Sequence, residues 1–340
     1  MKYTISGFMN VWNVKSQGYL FIQAIEAALP ICDEFLISDG YSTDGTWEEL
    51  VKLQKKYPKI KLYREKWVLD KKTPLLSLAD SANKVRKKCK GDYILYIQAN
   101  EIIHEKSIKT IKKLPEMYPT AEVFNLPFNM IYGPNLLLNT EYRTRFARNL
   151  NYINVIQDAW ALGYSYNNYL NRFKITLNFF ICHFIFNLFN PKELQKLFSM
   201  IFMSIVKIGF TDTYRVQFIN LQEPIYRYSP LTPEAVIKKL EGHSLFWNES
   251  VNAKLSSQNK IKEFLGAKHN PPVGLKAKDY AVEVYKTDKK HFWEKMTAYY
   301  KKNEPYALGD IKKIFKPTLL KEHPKIMQPL LRKSLLELSK

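Results

Sequence analysis

The chain has 340 residues, of which 46% are hydrophobic and 14% aromatic, and its 52 Lys and Arg against 32 Asp and Glu give a net charge of +20. Such a composition excludes a disordered chain and supplies core for roughly two domains. The basic excess favours anionic partners, namely phosphorylated substrates or an anionic membrane face; it is spread along the chain with no recognisable basic module, which argues against a nucleic-acid binder.

In chain order, short apolar runs at Tyr3–Phe8, Glu34–Ser38, Ile60–Arg64 and Tyr93–Ile97 each read as a strand. Helical patterns lie between them, at about Gly18–Leu29, Thr46–Tyr57 and Leu75–Lys90. Thr46-Trp47-Glu48-Glu49 has the Thr-x-x-Glu form of a capping box, which places a helix start at Thr46. A strand-helix repeat of roughly 30 residues is the signature of βαβ units and a parallel sheet. Ligands of such sheets bind outside the carboxyl ends of the strands. The cysteines Cys32, Cys89 and Cys182 have no metal-type spacing, and an odd, sparse set fits a reducing compartment. The N-terminus lacks the longer apolar segment of a secretory signal, so the expected location is cytoplasmic, or peripheral on the inner membrane face.

Two strand ends carry unusual chemistry. Ser38-Asp39-Gly40-Tyr41-Ser42-Thr43-Asp44-Gly45-Thr46 concentrates turn residues and negative charge where the second strand stops. Asp39 is expected just beyond that strand, with Gly40 and Gly45 permitting backbone angles that other residues resist. Gln98-Ala99-Asn100-Glu101 follows the fourth strand directly and would face the same edge as Asp39.

These residues resemble a family 2-type glycosyltransferase with the GT-A fold. The resemblance begins at Ile5-Ser6-Gly7-Phe8, passes through Asn13, Asp33-Glu34, the Asp39–Thr46 motif and Asn83, and reaches Gly91-Asp92 and Gln98-Ala99-Asn100-Glu101. Tyr142-Arg143-x-Arg145-Phe146-x-Arg148-Asn149, Gln157-Asp158-Ala159-Trp160 and Pro224-Ile225-Tyr226-Arg227-Tyr228 continue it. It covers residues 3 to 160 well and 222 to 275 faintly. The fold it implies is a Rossmann-like, mostly parallel sheet flanked by helices, with a helical insertion and a helical C-terminal region. The implied activity is transfer of a sugar from a UDP-, GDP- or dTDP-sugar to a hydroxyl of a glycan, lipid or protein acceptor, with inversion.

The resemblance also implies roles. Asn13, Asp39, Asp44, Asn83, Gln98, Asn100 and Arg227 would bind the donor. Asn100 and Glu101 would meet Mn2+ or Mg2+ at the diphosphate. Asp158, in a Gln-Asp pair resembling the Glu-Asp of inverting members, would be the general base; a helix-cap or surface role for it stays open. Arg143, Arg145 and Arg148 suit phosphate or an acidic acceptor, and Arg143 and Arg145 at alternate positions equally suit a solvated strand face. The chain departs from the pattern twice: Asn100 stands where an Asp is usual, and Arg227 where a metal-binding His is common. Hard divalent cations prefer charged oxygen ligands, while an arginine can neutralise a diphosphate directly. Both departures point toward a weakened or lost need for metal, with His104 as a substitute ligand if metal is kept.

Residues 1–165 are assigned to the nucleotide-sugar-binding and catalytic core, 166–212 to an apolar helical insertion, 213–275 to completion of the catalytic and acceptor region, and 276–340 to a helical basic C-terminal region. In the insertion, Ile175 to Phe189 is 15 residues, about 22 Å as a helix, short of the roughly 20 residues of a membrane span. With the stripe Leu194, Leu197, Phe198, Ile201, Phe202 and Ile205, it reads as a helical pair, whether buried, at a homodimer interface or on a membrane surface. The C-terminal stretches Lys312–Lys316 and Leu330–Leu336 alternate basic and apolar residues and are expected to be amphipathic helix packed on the domain. The rival reading of the whole chain is a non-catalytic GT-A descendant acting as a membrane or scaffold binding module.

Overall fold

The computed structural model describes residues 3–68, 74–156, 159, 161–164, 216–241, 273–303 and 316–338. The insertion expected at 166–212 and the base candidate Asp158 lie outside them.

The first half alternates as expected: β1 (Ile5–Val11), α1 (Phe21–Ala28), β2 (Glu34–Asp39), α2 (Thr46–Lys56), β3 (Ile60–Arg64), α3 (Pro74–Arg86) and β4 (Tyr93–Tyr96). The chain continues through β5 (Glu101–Ile103), α4 (Ile108–Met117), β6 (Val123–Tyr132), β7 (Leu136–Arg148) and a hairpin of β8 (Ile153–Ile156) and β9 (Ala161–Tyr164). Next come β10 (Val216–Phe218), β11 (Ile225–Tyr228) and α5 (residues 233–241). Last are α6 (Val273–Thr287), α7 (Phe292–Asn303), β12 (Lys316–Pro317) and α8 (Gln328–Leu338). The main sheet runs β3-β2-β1-β4-β7-β6-β11-β5, with β10 beside β6 and β12 beside β7. Strands β3, β2, β1 and β4 are mutually parallel, whereas β7 enters antiparallel to both β4 and β6. This is a Rossmann-like α/β fold with an antiparallel extension.

The central parallel strands β1, β2 and β4 are largely apolar because both of their sheet faces are covered. Ile5, Met9, Phe35, Ile37 and Leu95 join α1, α2 and α4 in one core, through Ala24, Ile25, Leu50, Leu53, Ile111 and Leu114. Phe8, Leu36, Ile94 and Tyr96 point the other way, onto Ala79, Ala82 and Val85 of α3 and onto the β8–β9 hairpin. The period of two along each strand sorts these sets.

The N-terminal edge of the sheet is locked by the carboxylates of exposed Asp33 and Asp92 and of half-buried Glu34. Ile5 N–H donates to Asp33 Oδ2 at 2.8 Å, Thr4 N–H to Asp92 Oδ2 at 2.8 Å, and Ser6 Oγ to Glu34 Oε1 at 2.6 Å. Asp33-Glu34 and Gly91-Asp92 therefore hold the edge opposite to the one where ligands of such a sheet bind. α2 starts at Thr46 as expected, but not through a capping box. Thr46 Oγ1 bonds Asp44, and Glu49 turns to Lys15 and Lys52.

The C-terminal segment packs back onto the sheet. α8 includes Leu330–Leu336 as expected, whereas Lys316 forms a short strand pairing with Leu137 rather than helix. Its anchor is His323, buried, with Nδ1 2.8 Å from Tyr228 Oη and Nε2 2.8 Å from Thr318 Oγ1. Tyr226 Oη donates to the Glu322 carbonyl at 2.7 Å. The segment thus braces β11.

Burial, opposed by Glu322 and aided by His104, pushes the His323 imidazole down to about 4. The folded protein holds it neutral while the unfolded chain takes a proton near pH 6.5, so stability is full above that pH and is lost as pH falls toward 4. The expected loss is on the order of 2–3 kcal/mol, and buried His104, also shifted down by burial, adds in the same sense. Urea midpoints should therefore drop between pH 7.5 and 4.5. His323→Phe should lose about 1–3 kcal/mol at pH 7.5, because Tyr228 Oη loses its partner while Thr318 Oγ1 keeps only the Asn135 carbonyl, and show a flatter pH dependence.

Candidate functional site

The strand order reverses at β1: the chain steps outward through β2 and β3, then returns to place β4 on the other side. A crevice forms outside the carboxyl ends of two strands whose connections leave in opposite directions, and this is where open α/β sheets bind ligands. Here it is flanked by the loop after β1, the loop after β2 and the turn after β4. Val11 pairs with Asp39, and Phe8 with Tyr96, so Asp39 and the Gln98–Glu101 turn share one rim with β1 between them. Two strand spacings separate them, about 10 Å.

Asp39 is the last residue of β2 rather than beyond it, and fully buried. Its carboxylate accepts from the Ser42 N–H at 3.1 and 3.2 Å and from Arg64 Nε at 3.2 Å. Arg64, at the end of β3, lies 4.7 Å from the ring centroids of both Tyr41 and Trp47. Tyr41 is 52% exposed and has φ +60°, a conformation costing a non-glycine residue about 1 kcal/mol. Sequence reasoning did not single out Arg64; its place as the last residue of an adjacent parallel strand is the signal that could have found it.

Asn13 and Asp44 fasten the first two loops together. Asn13 N–H donates to Ser42 Oγ at 2.8 Å, and Asn13 Oδ1 accepts from the Thr43 N–H at 2.8 Å. Asp44 accepts from the Ser16 N–H at 2.7 Å and from the Thr46 N–H at 3.0 Å. Burial works against its ionised form, yet these donors hold the carboxyl below its usual range. Gly45 has φ +88°, as the turn chemistry suggests. Gly40 is needed for space instead: a Cβ there would lie 2.9 Å from the Trp67 indole.

Asn83 sits apart from this rim. From α3 it clamps β8 with a reciprocal pair, Nδ2 to the Val155 carbonyl and Val155 N–H to Oδ1, both at 2.8 Å. Gln98 Nε2 donates to the Ala159 carbonyl at 2.7 Å and so ties the β8–β9 turn to the rim.

At the end of β4, Asn100 Nδ2 donates to the Tyr228 carbonyl at 2.9 Å. Glu101 is fully buried and chelated by Arg145, with Nη2 2.6 Å from Oε1 and Nε 2.8 Å from Oε2, while Gln98 N–H also reaches Oε2 at 3.0 Å. Arg145 is the extra residue of a β-bulge: Phe124 pairs with Phe146 but Asn125 with Thr144. The bulge turns its guanidinium onto the Tyr96 and Phe128 rings, at 5.0 and 5.5 Å. Arg227 pairs with Glu101 across β11–β5. Burial opposes the charge on Glu101, but Arg145 first, then Arg227 and Arg143, keep its carboxyl ionised below the usual range. Arg143 is buried against Glu141; burial and then Arg227 push its guanidinium down to about 9, still charged at neutral pH. The solvated-face option for Arg143 and Arg145 is thereby replaced by burial. Arg148 pins the α4–β6 loop through the Pro119 and Ala121 carbonyls.

This donor set does not fit a divalent cation. Both Glu101 oxygens are held by a guanidinium, Asn100 is turned to Tyr228, and two more guanidinium groups act on the same carboxylate. His104 is buried, with Nδ1 accepting from the Lys106 N–H at 3.2 Å. Among the described residues no group of three or more His, Cys, Asp or Glu is placed to hold a metal ion. None of their helices is long and apolar enough to cross a membrane.

No protein-family model matches the chain, and no curated protein matches it in sequence. Among solved structures, the chain is similar to S. aureus TarS 1–349 in complex with UDP, at 16% identity over 77% of this chain and 70% of that one, with a TM-score of 0.37. It is similar to S. aureus TarS at 14% identity over 98% of this chain and 53% of that one, TM-score 0.36, and so spans about half the length of that protein. It is also similar to glucosyl-3-phosphoglycerate synthase from Mycobacterium tuberculosis in complex with Mn2+, UDP and glucosyl-3-phosphoglycerate, at 14% identity over 38% of this chain and 44% of that one, TM-score 0.26.

The buried pair generates a stability prediction. Removing one partner strands the other's charge, so Glu101→Ala or Arg145→Met should each cost about 3–5 kcal/mol in urea denaturation. The double variant should cost clearly less than the sum of the two.

Proposed function

We propose that the chain is a nucleotide-sugar glycosyltransferase whose donor lies across the rim formed by the ends of β1, β2 and β4. One observation carries this reading: the β3-β2-β1-β4 order sets Asp39 and the Gln98–Glu101 turn on either side of a single switch-point crevice. Asp39 with Arg64 is suited to the base and ribose, being a buried carboxylate held by a guanidinium at the crevice edge. The arginines beside Glu101 supply positive charge where a diphosphate leaving group would gain negative charge.

In the reaction, the bond between the sugar's anomeric carbon and the diphosphate oxygen breaks, its electron pair staying with the diphosphate. The acceptor hydroxyl oxygen forms the new bond on the opposite face, and its proton passes to a carboxylate base. Asp158 is assigned that role from its sequence context; the next residue, Ala159, is anchored to Gln98 at the rim. A glycan, a lipid-linked glycan or a protein would serve as acceptor, and attachment to a membrane face through residues 175–208 would suit a lipid-linked one.

A second reading, a non-catalytic GT-A binding module, is favoured by the Glu101–Arg145 chelate, which occupies the carboxylate expected to meet metal.

The deciding assay screens UDP-, GDP- and dTDP-sugars for thermal stabilisation and for hydrolysis or transfer. One donor class should stabilise the protein and turn over. Asp158→Ala should lower kcat by about 10²- to 10⁴-fold with nucleotide affinity unchanged. Donor binding without turnover in any acceptor mixture would favour the binding module instead.

A further inference from the structure

The hydrogen bonds around His323 fix the place of its proton. Thr318 Oγ1 lies 2.7 Å from the Asn135 carbonyl, which can only accept, so the single hydroxyl hydrogen of Thr318 is used there. Toward His323 Nε2, 2.8 Å away, Thr318 can therefore only accept, and Nε2 carries the proton. A neutral imidazole has one N–H, so Nδ1 offers its lone pair to the Tyr228 hydroxyl at 2.8 Å. Tyr228 is 1% exposed, and this bond gives its buried O–H an acceptor. The segment that supplies His323 is itself tied down. Thr318 N–H also reaches the Asn135 carbonyl at 2.7 Å, and Gln328 Nε2 donates to the His323 carbonyl at 3.0 Å.

From Tyr228 the bonds continue to the crevice. Its N–H donates to the Asn100 carbonyl at 3.0 Å, and its own carbonyl accepts from Asn100 Nδ2 at 2.9 Å. A single residue thus grips both the main chain and the side chain of Asn100, one position before the Glu101 that Arg145 chelates. The local ladder is slight: β11 has four residues, and β5, with three, stands at the end of the strand order. Strands so short supply few ladder bonds, so the place of the turn depends on what supports β11. That support is the pair of tyrosine hydroxyls, Tyr228 bonded to His323 and Tyr226 to the Glu322 carbonyl.

We propose that His323 is a positioning residue of the donor site: as the Nε2–H tautomer it holds the Tyr228 ring, and through Tyr228 it sets the Asn100 turn at the crevice. The inference rests on the glycosyltransferase reading for what that turn meets. It gives the C-terminal segment a part in donor binding that runs through β11.

Two substitutions separate this role from a purely structural one. Asparagine places its amide where Nδ1 lies, and glutamine where Nε2 lies. His323→Asn should keep the bond to Tyr228 and lose the one to Thr318, and His323→Gln the reverse. Each gives up one side-chain bond, so their thermal midpoints should fall alike. Calorimetric titration of the full chain with UDP, GDP and dTDP, manganese present, should nevertheless show binding weakened about two- to thirtyfold in His323→Gln and close to wild type in His323→Asn. Tyr228→Phe should match His323→Gln, and the double variant should be no weaker than either. Without nucleotide, amide hydrogen exchange over residues 98–103 should quicken in His323→Gln and not in His323→Asn. Nitrogen NMR at neutral pH should show the His323 proton on Nε2. Three results would each overturn the assignment and leave the donor reading standing: equal nucleotide affinity in the two variants, equal exchange in them, or a proton on Nδ1 of the wild type. Failure of the wild type to bind any nucleoside diphosphate would sink the donor reading, and the role of His323 in it.

Discussion

The fully buried bidentate pair between Glu101 and Arg145 governs the candidate site. An isolated carboxylate at that depth would be driven to protonate, and an isolated guanidinium would be expelled toward water. Together they satisfy each other, and the Gln98 N–H closes the remaining geometry. Both oxygens of the Glu101 carboxylate are taken by the Arg145 guanidinium, and Arg227 and Arg143 act on the same group.

The pair depends on two features of the sheet. The bulge in β7 re-aims Arg145, and β11 brings Arg227 into register with Glu101. β11 is braced from behind by Tyr226 and Tyr228, which bond the C-terminal segment at Glu322 and His323. A segment more than 200 positions from Glu101 thus helps hold the strand that sets its electrostatic surroundings.

On the other side of β1, the polar residues of the first two loops act mainly on one another. Asn13, Ser42, Asp44 and Thr46 cross-link the β1–α1 and β2–α2 loops through backbone N–H groups that no strand or helix would otherwise satisfy. Such a network gives a rigid edge on which Asp39 and Arg64 are held. Rigidity there is compatible with donor recognition, since a preformed crevice avoids the entropy of ordering loops on binding.

The amino-acid sequence by itself determined the alternation β1-α1-β2-α2-β3-α3-β4, nearly to the residue at Ile60–Arg64 and Tyr93–Tyr96, because buried parallel strands are short apolar runs and their helices carry a 3.6-residue stripe. It also marked the two strand ends that matter, since clustered Asp, Asn, Gly and Ser are costly unless a turn or a ligand uses them. Local pattern could not reveal what each polar side chain bonds to. Asn83 fastens β8, Arg145 closes on Glu101, and Tyr228 bonds His323; these partners are 72, 44 and 95 positions away. Only the tertiary structure decided them, because a side chain's charge state and direction depend on which distant groups share its low-dielectric surroundings, and a single inserted residue in β7 is enough to redirect a guanidinium.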